Sequence, residues 1–564
     1  MRNLLFLSFI LFFTVSLFLS CANTKPPTGG PRDTLAPVLI YADPEMGELN
    51  FKGNEIELEF DEFVEAPQLF NKLIITPTIQ SKFKSSVNRR SVIIRFNEDE
   101  PFEENTTYTL NFQDAIVDIT EKNPTDSNRF VFSTGDYLDS LYINGKITNL
   151  MTGKVVEEAT VALYNANDTL NVFEDKPLYF GKTTSNGVYS IENIKNGRYL
   201  LFAFKDQNKN LTLETNSEAY GFYGDTLNLD NSIDSLKIPI QKLNVSEIFV
   251  LSKFPTGRYF EINFNKAITD FKLDPEINNL NISANLVDNN KKLRIYNTFE
   301  TIDSLQTILT VSDSIDQVAI DTFYVKFQPS QREPNPLTLS VKPATNTSIE
   351  KEFIAQLKFS KPVESINFDS IYFRYDSLNV IQFTAEDSIE WSQHQDQALI
   401  YKSLFNPADT VKNDVNQNGR SENISRTSTE IMFNVGKGAF MGVENDSSES
   451  KTLKYSFKIP EQYGSINGSI DTYYNSFIVQ LLNNRNDVVS QIINAKDFIF
   501  NLIEPGEYRI RVLVDENNNG EWDPGNIKEL IEPEKVMFYR DSTTSQETLL
   551  LKANWELKDN NINF

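Results

Sequence analysis

Residues 55–61 read Glu-Ile-Glu-Leu-Glu-Phe-Asp, and this alternation decides the fold class. Ile56, Leu58 and Phe60 hold every second position, and acidic side chains hold the positions between them. Successive side chains of a β-strand point to opposite faces of the sheet. The stretch therefore predicts a strand with one face in a core and the other in water.

The same alternation of apolar and polar residues recurs along the chain. Tyr108, Leu110 and Phe112 alternate with polar side chains, and the runs 91–96 and 130–134 are rich in β-branched and aromatic residues. Asn, Asp and Gly clusters separate these runs, and no stretch keeps a helical 3.6-residue period beyond single turns. Many short strands at this spacing predict an all-β protein of tandem β-sandwiches.

Composition excludes several classes of protein. The 564 residues carry 53 Lys+Arg against 78 Asp+Glu, a formal charge of −25, which argues against nucleic acid as a partner. With one Cys and one His, the chain can close no internal disulfide and lacks the ligands of a Cys/His zinc site. Length predicts about four domains, and a hydrophobic content of 40% is sufficient for packed cores.

The first residues predict a targeting segment. Arg2 precedes the apolar run 4–19, which is shorter than the roughly 20 residues of a membrane-spanning helix and suits a signal peptide over residues 1–20. Leu19-Ser20-Cys21 resembles the bacterial lipoprotein box, with Phe18 where Leu is commoner. The resemblance implies cleavage before Cys21 and lipidation of its thiol and new amine. An ordinary secretory signal with a chance Cys is the alternative.

A lipid on Cys21 implies that the membrane is a partner and that the protein is an outer-membrane lipoprotein of the cell envelope. The Pro/Gly-rich residues 21–35 predict a semi-rigid tether. Residues 22–25 carry no acidic run of the kind that resembles a surface-export tag, so the periplasmic face is favoured over the cell surface.

Residues 36–136 resemble the bacterial Ig-like domain first described in surface-layer proteins. The resemblance rests on Pro44, Gly47, the strand at 56–61 and the segments 74–77 and 105–118. Pro343 and the segment 357–363 repeat its opening, which predicts a second Ig-like domain over 331–459. The intervening 246–330 predicts a divergent β-sandwich.

An internal repeat links two further segments. Residues of the first copy recur 309 positions later, so that Asp206 returns as Asp515. The matched residues are Tyr189, Ile191, Ile194, Gly197, Tyr199, Asp206, Asn208, Asn210 and Glu214 with Phe498, Phe500, Ile503, Gly506, Tyr508, Asp515, Asn517, Asn519 and Asp523. Both copies resemble the carboxypeptidase regulatory-like or collagen-adhesin B-type repeat. The resemblance implies small transthyretin-like sandwiches over 137–245 and 460–554, followed by a tail over 555–564.

Three Asp/Asn loops predict cation sites. Oxygen side chains at positions 1, 3, 5 and 9 of each loop suit Ca²⁺, although an EF-hand would add a bidentate Glu at position 12 and flanking helices. The candidate ligands are Asp515, Asn517, Asn519 and Asp523; Asp206, Asn208, Asn210 and Glu214; and Asp414, Asn416, Asn418 and Glu422. Leu211 replaces the Gly that follows position 5 in the other two loops. The alternative is a set of Asn-rich turns that bind no metal.

Triplets of Asp, then Ser or Thr, then usually an aliphatic residue are unusually frequent. They resemble the acceptor for periplasmic O-glycosylation in one group of Gram-negative bacteria. The candidate acceptors are Thr34, Ser140, Thr169, Thr226, Ser235, Ser304, Ser314, Ser370, Ser377, Ser388, Thr410 and Ser542. The alternative is that Asp-Ser and Asp-Thr simply make turns that lead into strands.

No motif in the chain selects an enzyme. The phosphate loop, the Gly-x-Ser-x-Gly elbow and the His-Glu-x-x-His helix are missing, and a Ser-His-Asp triad has only His394. The sequence predicts a non-catalytic, lipid-anchored envelope protein, a structural spacer or interaction scaffold forming a calcium-stiffened rod. The alternative is a glycan- or protein-binding lipoprotein with recognition loops, which a large exposed aromatic patch would favour. A carboxylate-pair hydrolase is a remote alternative.

Overall fold

The computed structural model describes residues 33–79, 82–97, 102–167, 170–277, 280–299, 304–331, 333–375, 379–405 and 430–564. Strands make up 49% of the structure and helices 2%, which confirms the all-β prediction. The helical elements in these ranges are α1 (Leu69–Lys72) and the 3₁₀ turns Phe368–Ser370 and Pro460–Gln462. The described strands form five β-sandwiches in chain order, each around an apolar core.

Sandwich 1 shows how the alternating sequence becomes a core. Its strands are β1 (Leu39–Asp43), β2 (Glu55–Phe60), β3 (Val64–Glu65), β4 (Ile74–Thr76), β5 (Phe83–Asn88), β6 (Ser91–Phe96), β7 (Thr107–Asn111), β8 (Val117–Asp118) and β9 (Arg129–Ser133). One sheet has the order β1-β2-β6-β5, a second has β4-β7-β9, and β3 pairs with β8. On β2 the side chains of Ile56, Leu58 and Phe60 are buried between the sheets, as the period of two predicts.

Sandwich 2 has two sheets of different strand order. Its strands are β10 (Leu141–Asn149), β11 (Thr160–Asn165), β12 (Tyr179–Lys182), β13 (Val188–Ile194), β14 (Gly197–Phe204), β15 (Tyr220–Phe222), β16 (Leu227–Leu229) and β17 (Ile233–Ile240). One sheet is β13-β10-β17, with β17 parallel to β10, and the other is β12-β11-β14-β15, with β16 also on β14.

Sandwich 3 repeats the strand order of sandwich 1. Its strands are β18 (Val250–Thr256), β19 (Tyr259–Phe264), β20 (Asp270–Pro275), β21 (Ala284–Val287), β22 (Lys292–Tyr296), β23 (Leu305–Ser312) and β24 (Val318–Val325). The sheets β18-β19-β22-β21 and β20-β23-β24 correspond strand by strand to β1-β2-β6-β5 and β4-β7-β9. The segment that reads as a divergent sandwich therefore has the strand order of the Ig-like sandwich, with no described counterpart of the β3–β8 pair.

Sandwich 4 has the same order with added strands. Its strands are β25 (Leu339–Lys342), β26 (Thr347–Ile349), β27 (Glu352–Phe359), β28 (Val363–Ile366), β29 (Ile371–Arg374), β30 (Val380–Gln382), β31 (Ile389–Trp391), β32 (Gln397–Ser403), β33 (Glu430–Val435), β34 (Phe440–Gly442) and β35 (Lys451–Phe457). The sheets are β25-β27-β32-β31, β26-β35-β33-β29-β30 and the pair β28-β34.

Sandwich 5 repeats sandwich 2. Its strands are β36 (Gly464–Asp471), β37 (Ser476–Asn483), β38 (Val488–Ile493), β39 (Asp497–Ile503), β40 (Gly506–Asp515), β41 (Val536–Phe538), β42 (Leu549–Leu551), β43 (Glu556–Leu557) and β44 (Ile562–Asn563). Its sheets follow the order of sandwich 2: β39 and the parallel β43 and β44 flank β36, while β38-β37-β40-β41 forms the other sheet, with β42 on β40.

The last ten residues are not a tail. β43 and β44 lie in the range 555–564 and pair with β36, in the place that β17 takes beside β10. The segment between them, Lys558-Asp-Asn-Asn, is polar, so the sequence there gave no alternating pattern. The free edge of β36 supplies the hydrogen-bonding partners that make these short segments strands.

Buried polar contacts join the sandwiches that follow one another in the chain. Thr78 N of sandwich 1 donates to Leu178 O of sandwich 2 at 2.7 Å. Between sandwiches 2 and 3, Lys266 Nζ donates to Asn244 O at 2.9 Å and Gln317 Nε2 donates to Val245 O at 3.0 Å, and Ile315 packs against an apolar cluster of sandwich 2. Between sandwiches 3 and 4, Glu444 Oε2 accepts the Tyr259 hydroxyl and lies 2.5 Å from Lys361 Nζ, and Lys458 Nζ donates to Leu502 O between sandwiches 4 and 5.

Sandwich 5 also packs against sandwich 2, and this contact contradicts the expected rod. Arg511 NH1 donates to Met151 O at 2.6 Å, and Arg509 NH1 donates to Thr152 O at 2.7 Å. The next residue, Gly153, has a φ of +65°, and a Cβ there would lie 3.1 Å from the Phe538 ring. A straight row of five would keep these sandwiches three places apart. Sandwiches 2, 3, 4 and 5 instead form a closed circuit of contacts, with sandwich 1 joined to sandwich 2.

Candidate functional site

The second Asp/Asn loop is an ordered turn at the end of β40. Asp515, 2% exposed, accepts Asn519 N on Oδ1 at 3.1 Å and Gly520 N on Oδ2 at 2.9 Å. Asn517 Nδ2 and Asn519 Nδ2 both donate to Asp523 Oδ2, at 2.5 and 3.0 Å. Gly520 has a φ of +93°, a conformation that glycine adopts without a Cβ clash. The four predicted ligands of this loop therefore lie together.

The first loop, which follows β14, has the same hydrogen bonds. Asp206 accepts Asn210 N on Oδ1 and Leu211 N on Oδ2, both at 3.2 Å. Asn208 Nδ2 and Asn210 Nδ2 donate to Glu214 Oε1 at 2.8 and 3.0 Å. Leu211 takes a φ of +63° in the place of Gly520, which costs a non-glycine residue about 1–2 kcal/mol.

Each loop also uses a buried glutamate that the sequence did not single out. Glu218, 1% exposed, accepts Gln207 N at 2.9 Å and Glu214 N at 3.1 Å. Glu534 accepts Glu516 N at 2.7 Å and Asp523 N at 2.8 Å. These two carboxylates take the same place in the two loops, yet they follow position 9 at different distances in the sequence. A search for a fixed spacing therefore misses them.

The surroundings of Asp515 and Glu218 shift the pKa values of these two side chains in opposite directions. Burial raises the pKa of Asp515, but the Ser476 hydroxyl and the N–H groups of residues 518–520 outweigh it, so the pKa lies below the usual 3.8. Burial raises the pKa of Glu218 above the usual 4.5, and the negative charges of Asp206 and Glu214 raise it further against two backbone N–H donors. A cation beside Glu218 would favour its charged form.

The donor set of the loops is one that suits a hard cation. Each loop brings two carboxylates and two Asn side chains together, and oxygen ligands of this kind are those Ca²⁺ takes. The side-chain oxygens of the two Asn residues accept backbone N–H groups of the loop itself. The carboxylate at position 9 accepts hydrogen bonds from the side-chain NH₂ groups of both Asn residues. Among the described residues there is no group of three or more His, Cys, Asp or Glu side chains placed as metal ligands. The third loop, Asp414 to Glu422, lies outside the described residues, and calcium stays a prediction for all three.

The second loop borders an open cleft of about 560 Å³. The cleft lies between sandwiches 3 and 5 and is lined mainly by the loop and the chain after it, with Ile315 and Asp316 on the opposite side. Lys535 lines it and contacts both Glu516, at 3.3 Å, and the Tyr474 hydroxyl. Tyr473, 76% exposed, packs on Tyr474 with ring centroids 4.2 Å apart. An aromatic surface thus lies next to the loop.

The Ser and Thr candidates for glycosylation lie at the surface where they are described. Ser140, Thr226, Ser304, Ser370 and Ser388 directly precede strands, and the residues that follow three of them, Leu227, Leu305 and Ile371, are buried. Ser235 lies within β17, and Leu35 after Thr34 is exposed. Seven are exposed, namely Thr34, Ser140, Ser235, Ser304, Ser314, Ser388 and Ser542, and Thr226 and Ser370 are half-buried. Thr169, Ser377, Thr410 and the lipidation residue Cys21 lie outside the described residues.

His394 has a structural contact. Its Nε2 lies 3.0 Å from Asp270 Oδ1, and its ring stacks on Phe271 with centroids 3.7 Å apart. These partners belong to sandwich 3 and His394 to sandwich 4, so the side chain joins two sandwiches.

Comparison with solved structures returns several proteins at low identity. The chain is similar to the S-layer protein SbsC with 10% identity, 90% of this chain and 67% of that one covered, and a TM-score of 0.15. It is similar to BcpA, the major pilin subunit of Bacillus cereus, with 10% identity, 75% and 99% covered, and a TM-score of 0.12. It matches the L,D-transpeptidase LdtMt1 at 14% identity over 23% of this chain, spans 55% of that enzyme's length, and has a TM-score of 0.13. No curated protein matches.

Within the described part of the chain, helices are too short or too polar to cross a membrane.

Sandwich 1, with its paired sheets and the buried face of β2, is the part of the chain that matches a family model. Residues 33–134 match the model of the bacterial Ig-like domain. The resemblance read from Pro44 and the strand at 56–61 is thereby supported for this part of the chain, which carries an Ig-like domain.

Proposed function

We propose that this protein is a non-catalytic scaffold of the bacterial cell envelope, anchored by lipid at Cys21 on the periplasmic face of the outer membrane. The observation that carries the proposal is the closed circuit of contacts among sandwiches 2 to 5. Such a circuit fixes the sandwiches relative to one another. A scaffold requires a fixed arrangement, whereas a flexible string of binding domains does not require one.

The chemistry of the junctions supports a fixed arrangement. Lys361, 2% exposed, lies between Glu444 and Asp446, at 2.5 and 3.2 Å, and donates to Asn335 O at 2.6 Å. These residues all belong to sandwich 4, and sandwich 3 adds two partners to the same carboxylate: the Tyr259 hydroxyl donates to Glu444 Oε2 at 3.2 Å, and Arg258 NH1 lies 3.6 Å from Glu444 Oε1. Separating sandwiches 3 and 4 would remove both partners from a buried acidic group, which disfavours opening of the junction.

The anchor is tested by the substitution Cys21→Ser. If the lipid holds the protein, wild type stays with membranes after a high-salt wash, and the variant moves to the soluble fraction. Immunoblots of both fractions measure this, with total cell extract as the control for expression. A variant that stays on washed membranes would contradict lipid anchoring, and protease treatment of intact cells assigns the face.

Calcium is the second part of the proposal. The two described loops have the same hydrogen bonds although they lie in different sandwiches, and each adds a buried glutamate, Glu218 or Glu534, to its two predicted acids. Carboxylate and amide oxygens grouped in one turn are the ligands that Ca²⁺ takes. We propose that Ca²⁺ binds both loops and stiffens sandwiches 2 and 5.

O-glycosylation is the third part. The described Ser and Thr candidates are exposed or half-buried, which a glycan requires. Glycans at these positions would add solubilising surface to the scaffold and leave its cores unchanged.

A second candidate function is glycan or protein binding at the cleft beside the second loop. The observation that favours it is the exposed Tyr473 ring, which packs on Tyr474, whose hydroxyl contacts Lys535 in the lining of the 560 Å³ cleft. Aromatic faces beside polar groups suit sugar rings. A glycan array probed with wild type and with Tyr473→Ala tests this function, and equal binding of both proteins would contradict it.

A further inference from the structure

Sandwiches 1, 3 and 4 share a strand order, and their last strands β9, β24 and β35 take the same place in it. In sandwich 1, residues 47–51 lie along the outer edge of β9. Gly47 N donates to Val131 O and Ser133 N donates to Glu48 O, both at 2.8 Å. In sandwich 4, β26 pairs in parallel with the outer edge of β35. In both sandwiches this edge is therefore covered by another segment of the chain.

In sandwich 3 the corresponding edge, that of β24, is open. The covering residues of sandwiches 1 and 4 come from the chain between their first two strands, residues 44–54 and 343–351. In sandwich 3 this connection is Gly257-Arg258, and β18 pairs with β19 over its whole length. Within the described ranges, no other segment forms backbone hydrogen bonds with the outer edge of β24. Sandwich 3 thus lacks the segment that completes sandwiches 1 and 4.

The open edge of β24 presents backbone groups and an apolar face together. Asp313 N donates to Gln317 O at 3.2 Å, and hydrogen-bonded and non-hydrogen-bonded pairs alternate along an antiparallel ladder. The residues whose N–H and C=O groups point away from β23 are therefore Val318, Ile320, Thr322 and Tyr324. The side chains of the same four residues are exposed, that of Ile320 to 70%. An added strand would find both hydrogen-bonding groups and apolar side chains here.

The sequence of β24 leaves this edge able to pair. Edge strands commonly carry proline, lysine or a bulge, which prevent the addition of another strand. β18, the edge strand of the other sheet, has Pro255, Lys253 and a register shift between Val250 and Ser252. β24 keeps an unbroken register over Val318–Val325 and contains neither Pro nor Lys.

The charge of β24 suits a second copy of this chain. The protein carries a formal charge of −25, so two copies repel one another at most surfaces. The charged residue of β24 is Asp321, and Lys253 Nζ offsets it from a distance of 2.7 Å. The exposed face of the strand holds Val, Ile, Thr and Tyr side chains, which are uncharged. Two copies can therefore approach at this strand with little repulsion.

We propose that β24 pairs with β24 of a second copy of the chain, antiparallel and centred on Thr322. In this register Thr322 lies opposite Thr322 of the other copy, and Ile320 lies opposite Tyr324. Thr–Thr pairs and pairs of an aromatic with a β-branched residue stabilise antiparallel strands. A register centred on Asp321 would instead place two carboxylates opposite each other. The two three-stranded sheets become one continuous sheet, and the same surface of each copy forms the interface.

Sedimentation equilibrium of the mature chain with Cys21→Ser measures this association without a lipid. Thr322→Pro removes an N–H group that points away from β23, a position at which an edge strand tolerates proline. Ile320→Glu with Tyr324→Glu is a second route, which places like charges opposite each other. Because each substitution is present in both copies, we expect the dissociation constant of the dimer to rise about 10- to 100-fold.

The matched control places the same two charges on the other edge strand of sandwich 3. Leu251→Glu with Phe254→Glu changes exposed positions of β18 and should leave the dissociation constant unchanged. Thermal melts of every variant show whether it is folded, and the two edge variants alter different groups of β24.

Disulfide formation tests the register. Cys21→Ser leaves the chain without Cys, so a single Cys can be placed on β24. In the proposed register the two Cα atoms at position 322 lie about 5.5 Å apart, which a disulfide spans. Those at position 320 lie more than about 13 Å apart, since four residues separate them along the strand. Thr322→Cys should therefore form a covalent dimer on oxidation, and Ile320→Cys should not.

Three outcomes would contradict the proposal. A chain that is still monomeric at about 100 μM, where a micromolar dimer is mostly formed, would exclude pairing with a second copy. A dimer that both edge variants leave intact would show that another surface forms the interface. A covalent dimer of Ile320→Cys in place of Thr322→Cys would overturn the register and keep β24 as the interface.

Discussion

A buried acidic side chain keeps its charge only if N–H groups replace the water that it loses. Asp118 in sandwich 1 accepts the N–H groups of Glu121, Lys122 and Asn123 at 2.6, 3.1 and 2.9 Å. Burial raises its pKa, but these donors outweigh it and the pKa lies below 3.8. Asp515 in sandwich 5 uses the same device, so each carboxylate organises the turn that surrounds it.

The lowered pKa of Asp515 predicts a pH dependence of stability. A carboxyl group with a lowered pKa in the folded state stabilises the protein above its unfolded pKa, near 3.8, and this contribution is lost as pH falls through the folded value. We expect Asp515→Asn to lower stability at pH 7 by about 1.5–3 kcal/mol, the range for hydrogen bonds to a charged group. The difference from wild type should shrink below pH 4.

Thermal melts of both proteins between pH 2.5 and pH 7 measure this difference. Other acids titrate in the same window, so the difference between wild type and variant is the quantity to compare. A difference that stays constant across the window would mean that the charge of Asp515 does not stabilise the turn.

Single residues also show what the sequence can predict. Ile56, Leu58 and Phe60 are buried because a strand pattern is local, and the sequence contains all of it. Glu218 and Glu534 were not predicted as site residues, because the fold brings them to the loops from different distances along the chain. Lys361 was missed for a similar reason, since its partners Glu444 and Asp446 lie more than eighty residues away.

At the scale of elements, the repeat is the feature that the sequence predicts best. Equivalent turns follow β14 and β40, and the same pairs of atoms form their hydrogen bonds. The repeat does not predict β43 and β44, because two-residue strands carry too few side chains for a pattern. Their pairing depends on the free edge of β36, which is a property of the assembled sheet.

Calcium should raise the melting temperature of the chain through these loops. A ligand that binds only the folded protein stabilises it by about 2.7 kcal/mol at a hundredfold excess over Kd. We expect a rise with calcium that magnesium does not match and that Asp515→Ala with Asp523→Ala reduces. Differential scanning calorimetry of the full mature chain measures it.

The matched control removes the same charge elsewhere on sandwich 5. Asp497→Ala with Glu507→Ala changes two exposed acids and should keep the full response to calcium. Net negative charge alone would make calcium and magnesium equivalent by screening. Equal responses to the two ions, or an undiminished response in the loop variant, would leave the loops as Asn-rich turns.

For the whole molecule, glycosylation predicts a mass above that of the lipidated polypeptide. We expect intact-mass spectra of protein purified from its native envelope to show regular increments. Replacing the seven exposed acceptors by Ala should remove most of them without lowering the melting temperature, since these side chains lie outside the cores. A native mass equal to the lipidated polypeptide would contradict glycosylation.

The arrangement of the sandwiches is the part that the sequence predicted wrongly. Five consecutive sandwiches suggested a rod, because nothing in a linear pattern shows which surfaces meet at a distance. The apolar cluster that contains both Phe202 and Ile527, and the hydrogen bond of Arg511 to Met151, each bring together residues more than three hundred positions apart. Packing between finished sandwiches decides such contacts, and a strand period carries no information about it.

The contact between sandwiches 2 and 5 determines how the protein would carry tension. A pull applied between the lipid proposed at Cys21 and the C-terminal strand β44 would enter through sandwich 1 and leave through sandwich 5. While the contact between sandwiches 2 and 5 holds, the force passes directly from sandwich 2 to sandwich 5. Sandwiches 3 and 4 then bear little of the load. Only after Ile527 leaves the apolar cluster of sandwich 2 would sandwiches 3 and 4 come under load and add their length to the extended protein. The protein would then extend in two stages, a short stiff one followed by a longer compliant one.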